Sequence, residues 1–175
     1  QALTSQQVAL LSTTQVAGLS TAQIAILDTV DIAALNQGQL AALSSAQIRS
    51  LTSAQVVALG TAQVAGLSSS QVDALTTVQV RALETADLQA MSAEQIMALN
   101  SAQVAALGTA QVSKLATQQV EALETIDLVA LSSASVVALS SAQVSAMLTE
   151  QIAALTTGQF TALQTEDLRG LDTVQ

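Results

Sequence analysis

Acidic residues are the side chains of this sequence with the most obvious ligand chemistry, because several of them stand in close pairs. Three pairs share a spacing of three residues: Asp28 and Asp31, Glu84 and Asp87, and Glu124 and Asp127. Paired carboxylates suit Ca²⁺, which takes oxygen ligands. An acid in the first turn of a helix is also favoured by the helix dipole and by capping, and the alternating Asp-x-Asp-x-Asp-Gly calcium loop is absent. We therefore favour a capping role and keep these six residues as calcium candidates.

The remaining side chains offer little catalytic or cofactor chemistry. The 175 residues include no Cys, His, Pro, Trp or Tyr. A thiolate nucleophile, an imidazole base, a zinc finger and an ordinary haem ligand are therefore excluded. Serine is abundant, but no base and no glycine-framed nucleophile elbow accompany it. The sequence predicts no catalytic residue, no bound cofactor and no enzymatic activity.

The charge balance argues against nucleic acid and membrane partners. Four Lys and Arg residues stand against thirteen Asp and Glu residues, which gives a net charge of −9. Such a chain cannot neutralise a run of phosphates or bind an anionic bilayer through basic residues. Ser, Thr or Gln interrupts every apolar run before it could span a bilayer. We expect no nucleic-acid partner and no membrane insertion.

An eight-residue repeat, here called the octad, occupies the whole chain. LSSAQIRS, LTSAQVVA and LGTAQVAG, for example, follow one another from Leu43. Counted from the residue after Leu, the first position of the octad is a cap residue, the second is Ser or Thr, the third is often Ala and the fourth is Gln. The fifth position is aliphatic, the sixth is variable, the seventh is usually Ala and the eighth is Leu. The fifth and eighth positions are apolar and predict the core, and the small seventh position predicts close packing. The variable sixth position carries Arg49 and Asp73, as a solvent-facing position should.

The length of the octad decides between secondary structures. In one long helix eight residues overshoot two turns by about 80°, so the apolar stripe would spiral around the helix. Strict strand alternation would place the Leu and aliphatic positions on opposite faces. A β-solenoid therefore needs a turn inside each octad and remains the alternative. A short helix followed by a corner places both apolar positions on one side, so we predict one helix per octad.

Capping residues at the start of each octad support the helical interpretation. The first position is usually Ser, Thr, Asp, Asn or Gly, which accept helix amides or tolerate unusual backbone angles. Gln follows three residues later, as from Ser44 to Gln47, which is the spacing of a capping box. Where Ala116 and Leu148 occupy the first position, we expect the adjacent Thr117 and Thr149 to supply the capping hydroxyl.

Helices this short require stacking for stability. Isolated helices need about 12 to 15 residues, so no octad folds alone. We predict an all-α solenoid with about three helices per superhelical turn, in which residues 1–175 are a single domain excerpted from a longer array. The first and last octads lack the polar sequence of a capping repeat. End-to-end self-association is therefore expected.

Stretches such as LSSAQVSAM and LGTAQVAGL resemble the tandem L-[ST]-[ST]-x-Q-[VI]-x-A-L arrays of very large bacterial surface or secreted proteins, some of them labelled adhesins. The resemblance covers the whole chain. It implies a structural spacer or stalk, extracellular or at the bacterial cell surface, whose partners are neighbouring repeats and domains of the same polypeptide.

The hydroxyls at the second position suggest an alternative function. Ser or Thr occupies this position in nearly every octad, and a rigid row of hydroxyls could order water as on an ice-binding face. Helix starts and corners also favour Ser and Thr, which explains the mixture of the two residues. The runner-up function is therefore a binding module whose regular face binds protein, carbohydrate or ice.

Overall fold

The computed structural model describes residues 4–169 and 171. These residues form 21 α-helices of four to six residues, one per octad, and none of them lies in a strand. The prediction of an all-α solenoid is confirmed, and the β-solenoid alternative is wrong. The helices are α1 Ser5–Ala9, α2 Thr13–Ala17, α3 Thr21–Ala25, α4 Thr29–Ala34, α5 Gln37–Ala41, α6 Ser45–Ser50, α7 Ser53–Val57, α8 Thr61–Ala65, α9 Ser69–Asp73, α10 Thr77–Ala82, α11 Thr85–Ala90, α12 Ala93–Met97, α13 Ser101–Ala106, α14 Thr109–Val112, α15 Thr117–Glu121, α16 Thr125–Ala130, α17 Ser133–Val137, α18 Ser141–Ser145, α19 Thr149–Ala154, α20 Thr157–Phe160 and α21 Thr165–Arg169.

Capping boxes begin most of these helices, as the Ser-to-Gln spacing predicts. In α6 the Ser44 hydroxyl accepts the backbone N–H of Gln47 at 3.3 Å. The Gln47 Oε1 accepts the backbone N–H of Ser44 at 2.8 Å. Both contacts satisfy amide donors that the first helical turn leaves without a helical partner. The cap therefore determines where each short helix begins.

Two expectations about the corners are wrong. Ala116 is itself the N-cap of α15, and its N–H is bound by Gln119 Oε1 at 2.8 Å, so Thr117 is not the cap. Leu148 likewise caps α19 through Gln151 Oε1 at 2.8 Å. No described residue has a positive φ, and each N-cap has ordinary extended angles. The corner needs an amide at the fourth position more than it needs a hydroxyl or the conformational freedom of glycine.

Helices that lie three apart in the chain pack on each other, so one superhelical turn contains three octads, or 24 residues. Examples are α1 with α4, α7 with α10, α13 with α16 and α18 with α21. This agrees with the predicted three helices per turn. The chain divides into two compact units, Gln1–Ala90 and Met91–Gln175, each with this stacking.

The fifth and eighth octad positions form the core of both units. Residues such as Val64 and Leu128 at the fifth position and Leu35 and Leu139 at the eighth are buried. Complete burial of an aliphatic side chain contributes about 1.5–3 kcal/mol. In the first turn Leu11 is half-buried, because no preceding turn in the described structure covers it.

The seventh position lies against a side chain of the preceding turn at Gly66, whereas Leu10 and Ile26 occupy the same position with side chains that are 85% and 80% exposed. A Cβ on Gly66 would lie 1.4 Å from Gln37 Nε2 of the preceding turn. In the space that this Cβ would occupy, the Gln37 Nε2 group donates to the Ala62 carbonyl at 3.2 Å. At Gly66 the seventh position thus faces the second position of the octad one turn earlier.

Candidate functional site

The fourth octad position is the most regular polar feature of the fold, and in most octads it is a buried glutamine. Buried examples are Gln39, Gln47, Gln55 and Gln71. The Oε1 atom of each accepts the N–H of its own N-cap residue, at 2.8 Å from Asn36 in the case of Gln39. Because this bond engages the oxygen, the Nε2 group points away from the helix start and toward the preceding turn.

The Nε2 groups bind backbone carbonyls of the preceding turn. Gln39 donates to Val8 O at 3.0 Å and to Leu11 O at 2.7 Å. These carbonyls lie 31 and 28 residues earlier, at the end of α1 and in the corner before α2. Carbonyls at a helix end lack the usual partner four residues on, and Val8 O accepts the Leu11 N–H at 3.1 Å beside the Gln39 amide. One side chain therefore caps the start of its own helix and the end of a helix in the turn below.

The same pair of offsets recurs in both units. Gln55 binds Ile24 O at 2.9 Å and Leu27 O at 2.8 Å in the first unit. Gln143 binds Val112 O at 3.0 Å and Leu115 O at 2.8 Å in the second. Further members with these two offsets are Gln47, Gln63, Gln71, Gln79, Gln151 and Gln159. We call this set of bonds the interturn amide lattice.

Aspartate replaces glutamine at the fourth position of four octads, and in three of them it makes a different interturn bond. Asp87 is buried, and its Oδ2 accepts the Glu84 N–H at 3.2 Å while its Oδ1 accepts the Thr61 hydroxyl at 2.9 Å. A carboxylate cannot donate to carbonyls, so it binds a hydroxyl of the turn below instead. Two further pairs repeat the 26-residue offset: Ser101 with Asp127 at 2.5 Å, and Ser141 with Asp167 at 2.8 Å.

The six calcium candidates lie in pairs at the starts of three separate helices. Asp28, Glu84 and Glu124 are exposed at the first position. Asp31, Asp87 and Asp127 are buried at the fourth position. Asp31 Oδ2 accepts the Asp28 N–H at 3.2 Å, which is the capping contact that we favour. Among the residues with described positions, no group of three or more Asp and Glu side chains is arranged to hold a metal ion.

Sequence reasoning found the capping role of the fourth position and missed its interturn role. The local signal, a Ser followed three residues later by Gln, is complete within one octad. The interturn bonds depend on how many octads make a turn, and no single octad carries that information. Ser135 is an exception among the fourth-position residues. Its short side chain makes a local contact with Ser132, with 2.9 Å between the two hydroxyl oxygens.

One stack of helices in the first unit exposes aliphatic side chains. On α4, α7 and α10 the aliphatic side chains of Val30, Val57 and Val78 are 65%, 46% and 64% exposed. The neighbouring stack of α3, α6 and α9 exposes Arg49 and Asp73 at the sixth position, where α10 exposes Arg81 and α7 exposes Val57. We call the first surface the α4–α7–α10 face. None of the described helices is long enough to cross a membrane.

Comparison with known proteins identifies the repeat itself. A search of curated proteins finds no match. A family model described as the ALTTAQ repeat matches residues 24–61, 32–69, 56–84, 80–117 and 120–157, which together cover most of the chain. The family motif corresponds to the last two positions of one octad and the first four of the next, as in Ala42 to Gln47. Its glutamine is the residue that forms the interturn amide lattice, and the chain belongs to the ALTTAQ repeat family.

Proposed function

We propose that this chain is a structural spacer, a segment that connects or displays other domains of a large bacterial surface or secreted protein and catalyses no reaction. One observation carries the proposal: the buried fourth-position side chains, which are the most regular polar groups of the octad, are engaged in internal hydrogen bonds. Gln39 and its counterparts each bind their own helix start and the turn below. In the described part of the chain, every buried side-chain nitrogen and oxygen has a hydrogen-bond partner.

The chemistry of the interior supports the same role. Catalytic groups are typically polar side chains held in a cleft with perturbed ionisation. Here the buried carboxylate of Asp87 is bound by a backbone amide and a hydroxyl, which is a structural environment. Repeats that contact near neighbours also allow length to change without redesign of a core. The partners of a spacer are the repeats and domains adjacent to it in the same polypeptide.

Small-angle X-ray scattering on chains of different length tests the spacer role. Deletion of residues 44–67 removes three octads and joins Leu43 to Ser68, which keeps the octad phase. We expect the maximum dimension to decrease by about 8–10 Å, the spacing of packed helices, with the same helical content per residue. A variant that unfolds, or keeps its original maximum dimension, would contradict a spacer whose length follows the octad number.

Antibodies against the chain should label intact bacterial cells that produce it.

A second candidate function is ice binding, and the α4–α7–α10 face favours it. This face combines the hydroxyls of Thr29 and Thr77 with the adjacent exposed aliphatic side chains of Val30 and Val78. Arg81 is the charged residue at the sixth position of these helices. The test is thermal hysteresis of the purified chain. Activity that is lost in Val78→Lys would establish this function, and no hysteresis in the unaltered chain would exclude it.

A further inference from the structure

The fourth-position residues do not connect all neighbouring turns equally. In the first unit, the three glutamines that α7, α8 and α9 carry at this position each donate to two carbonyls of the preceding turn. In the second unit, α16, α17 and α18 carry Asp127, Ser135 and Gln143 instead. In this part of the chain α13 packs against α16, α14 against α17 and α15 against α18. We call these three contacts the α16–α18 joint.

Two of the three fourth-position residues of the joint still bind the preceding turn. Gln143 donates to Val112 O at 3.0 Å and to Leu115 O at 2.8 Å. Asp127 accepts a hydrogen bond from the Ser101 hydroxyl at 2.5 Å, and a carboxylate has no amide to donate. The joint therefore contains one lattice glutamine, where the corresponding contact of the first unit contains three.

The third residue, Ser135, makes a local contact and lacks the donor that the lattice requires. Its side chain is 3% exposed, and its hydroxyl lies 2.9 Å from the hydroxyl of Ser132 in the same octad. The residues 31 and 28 positions earlier, whose carbonyls a glutamine would bind, are Val104 and Leu107, and both are buried. These carbonyls therefore lack the amide that their counterparts in other turns bind. A buried acceptor without its donor weakens the contact to which it belongs.

We propose that the second unit opens first at the α16–α18 joint, where these helices separate from the preceding turn while the other turns stay packed. Turns of a solenoid contact near neighbours, so one contact can open without the loss of the others. The next contact toward the C-terminus is held by more amides, because Gln151 and Gln159 both donate to their preceding turn. A pulling force would therefore lengthen the second unit at this joint first. The proposal does not depend on the spacer role.

Thiol labelling tests the proposal, because the sequence contains no Cys and an introduced one is its sole thiol. Helices α9 and α17 are a matched pair: each has a Ser N-cap and a buried valine at the fifth position, Val72 at 0% and Val136 at 1% exposure. An aromatic disulfide reagent reaches the thiol of Val72→Cys or Val136→Cys when the surrounding turns separate. We expect the Val136→Cys thiol to react about tenfold faster or more, which corresponds to two hydrogen bonds of ordinary strength.

Reciprocal substitutions assign the difference to the fourth position. Ser135→Gln supplies the missing donors and should slow the labelling of Val136→Cys about tenfold or more. Ala134→Gln adds the same side chain at the exposed third position of α17 and should leave the rate unchanged. Gln71→Ser gives α9 the same fourth-position residue as α17 and should speed the labelling of Val72→Cys by a similar factor.

Dilute urea distinguishes the opening of one joint from complete unfolding. Separation of a single contact exposes less surface, so the labelling rate of Val136→Cys should depend on urea less steeply than global unfolding does. Equal rates for Val136→Cys and Val72→Cys, or a rate for Val136→Cys that follows global unfolding, would overturn the proposal. An unchanged rate in Ser135→Gln, with circular dichroism that shows a folded chain, would overturn it as well. If Ser135→Gln failed to fold, an unchanged rate in Gln71→Ser would have the same consequence.

Discussion

Replacement of Gln55 by Glu is the most direct test of the interturn amide lattice. Gln55 is 2% exposed, and its Nε2 group binds Ile24 O at 2.9 Å and Leu27 O at 2.8 Å. Glutamate has the same shape and still accepts the Thr52 N–H, which Gln55 Oε1 holds at 2.7 Å. The substitution therefore preserves the capping box and removes the two interturn donors. Gln15→Glu is the matched control, because Gln15 makes the capping contact and lies exposed in the first turn.

The expected loss of stability follows from these contacts. Two hydrogen bonds contribute about 0.5–1.5 kcal/mol each, and a buried charge without a partner costs about 3–5 kcal/mol. Protonation of the introduced carboxyl relieves part of this cost. We therefore expect the free energy of unfolding at pH 7 to fall by about 3–5 kcal/mol for Gln55→Glu. For the exposed control the change should stay within about 0.5 kcal/mol, as for most surface substitutions.

The pH dependence gives a second readout. Burial against carbonyl oxygens raises the pKa of the introduced carboxyl above its unfolded value of about 4.3. The folded state then binds more protons than the unfolded state, so stability falls as the pH rises through the interval between the two pKa values. Below about pH 4.3 the protonated carboxyl can donate to Ile24 O or Leu27 O in place of the amide. The stability difference between Gln55→Glu and Gln15→Glu should therefore be smaller at pH 4 than at pH 7.

Urea unfolding followed by far-ultraviolet circular dichroism at both pH values measures this difference. Equal unfolding free energies for Gln55→Glu and Gln15→Glu at pH 7, within about 0.5 kcal/mol, would refute a stabilising role of the interturn bonds. A difference that does not change with pH would show that the introduced group is solvated and that the turns have separated around it.

Three further predictions concern the hydroxyl–carboxylate pairs, the core and calcium. Thr61→Val should reduce the unfolding free energy by about 1–3 kcal/mol, because it leaves the buried Asp87 Oδ1 without its donor. Thr109→Val is the matched control, because Thr109 is equally exposed at the same octad position and the residue 26 positions later is Ser135 instead of an aspartate; it should have little effect in the same urea titration. Leu40→Ala should cost about 2–5 kcal/mol, whereas Leu10→Ala, on a largely exposed side chain, should change the urea midpoint little. Addition of Ca²⁺ at about 1 mM, or of a chelator, should leave Tm within about 1 °C of its value without the addition. A ligand that binds only the folded state raises Tm, so a larger rise with Ca²⁺ would support the calcium candidates.

Much of the fold was predictable because its local signals repeat without interruption. The Ser44-to-Gln47 spacing predicts the helix start, and the aliphatic fifth and eighth positions predict the core, since both signals lie within one octad. The interturn bonds were not predictable in the same way. Gln39 reaches Val8 over 31 residues, and this distance follows from the number of helices per turn, which side-chain packing decides.

Substitutions at the corners show why a propensity rule alone was insufficient. The rule that a hydroxyl must cap each helix led to Thr117, yet the backbone amide of Ala116 is satisfied by Gln119. An amide at the fourth position removes the requirement for a polar first residue. Asp31, Asp87 and Asp127 were predicted as capping residues. The hydroxyl bond from Thr61 to Asp87 was missed, because Ser or Thr at the second position is too common to single out the bonded ones.

The offsets of the interturn amide lattice also give the fold a direction. Each glutamine donor binds carbonyls 28 and 31 residues nearer the N-terminus, as Gln55 does with Leu27 and Ile24. A chain synthesised from its N-terminus therefore presents the acceptors before the donor that needs them, and each new octad can close on a turn that already exists. These separations stay the same however many octads are added, so the contact order relative to chain length falls as the array grows. Addition of further octads would lengthen the solenoid without delaying the folding of the octads already made.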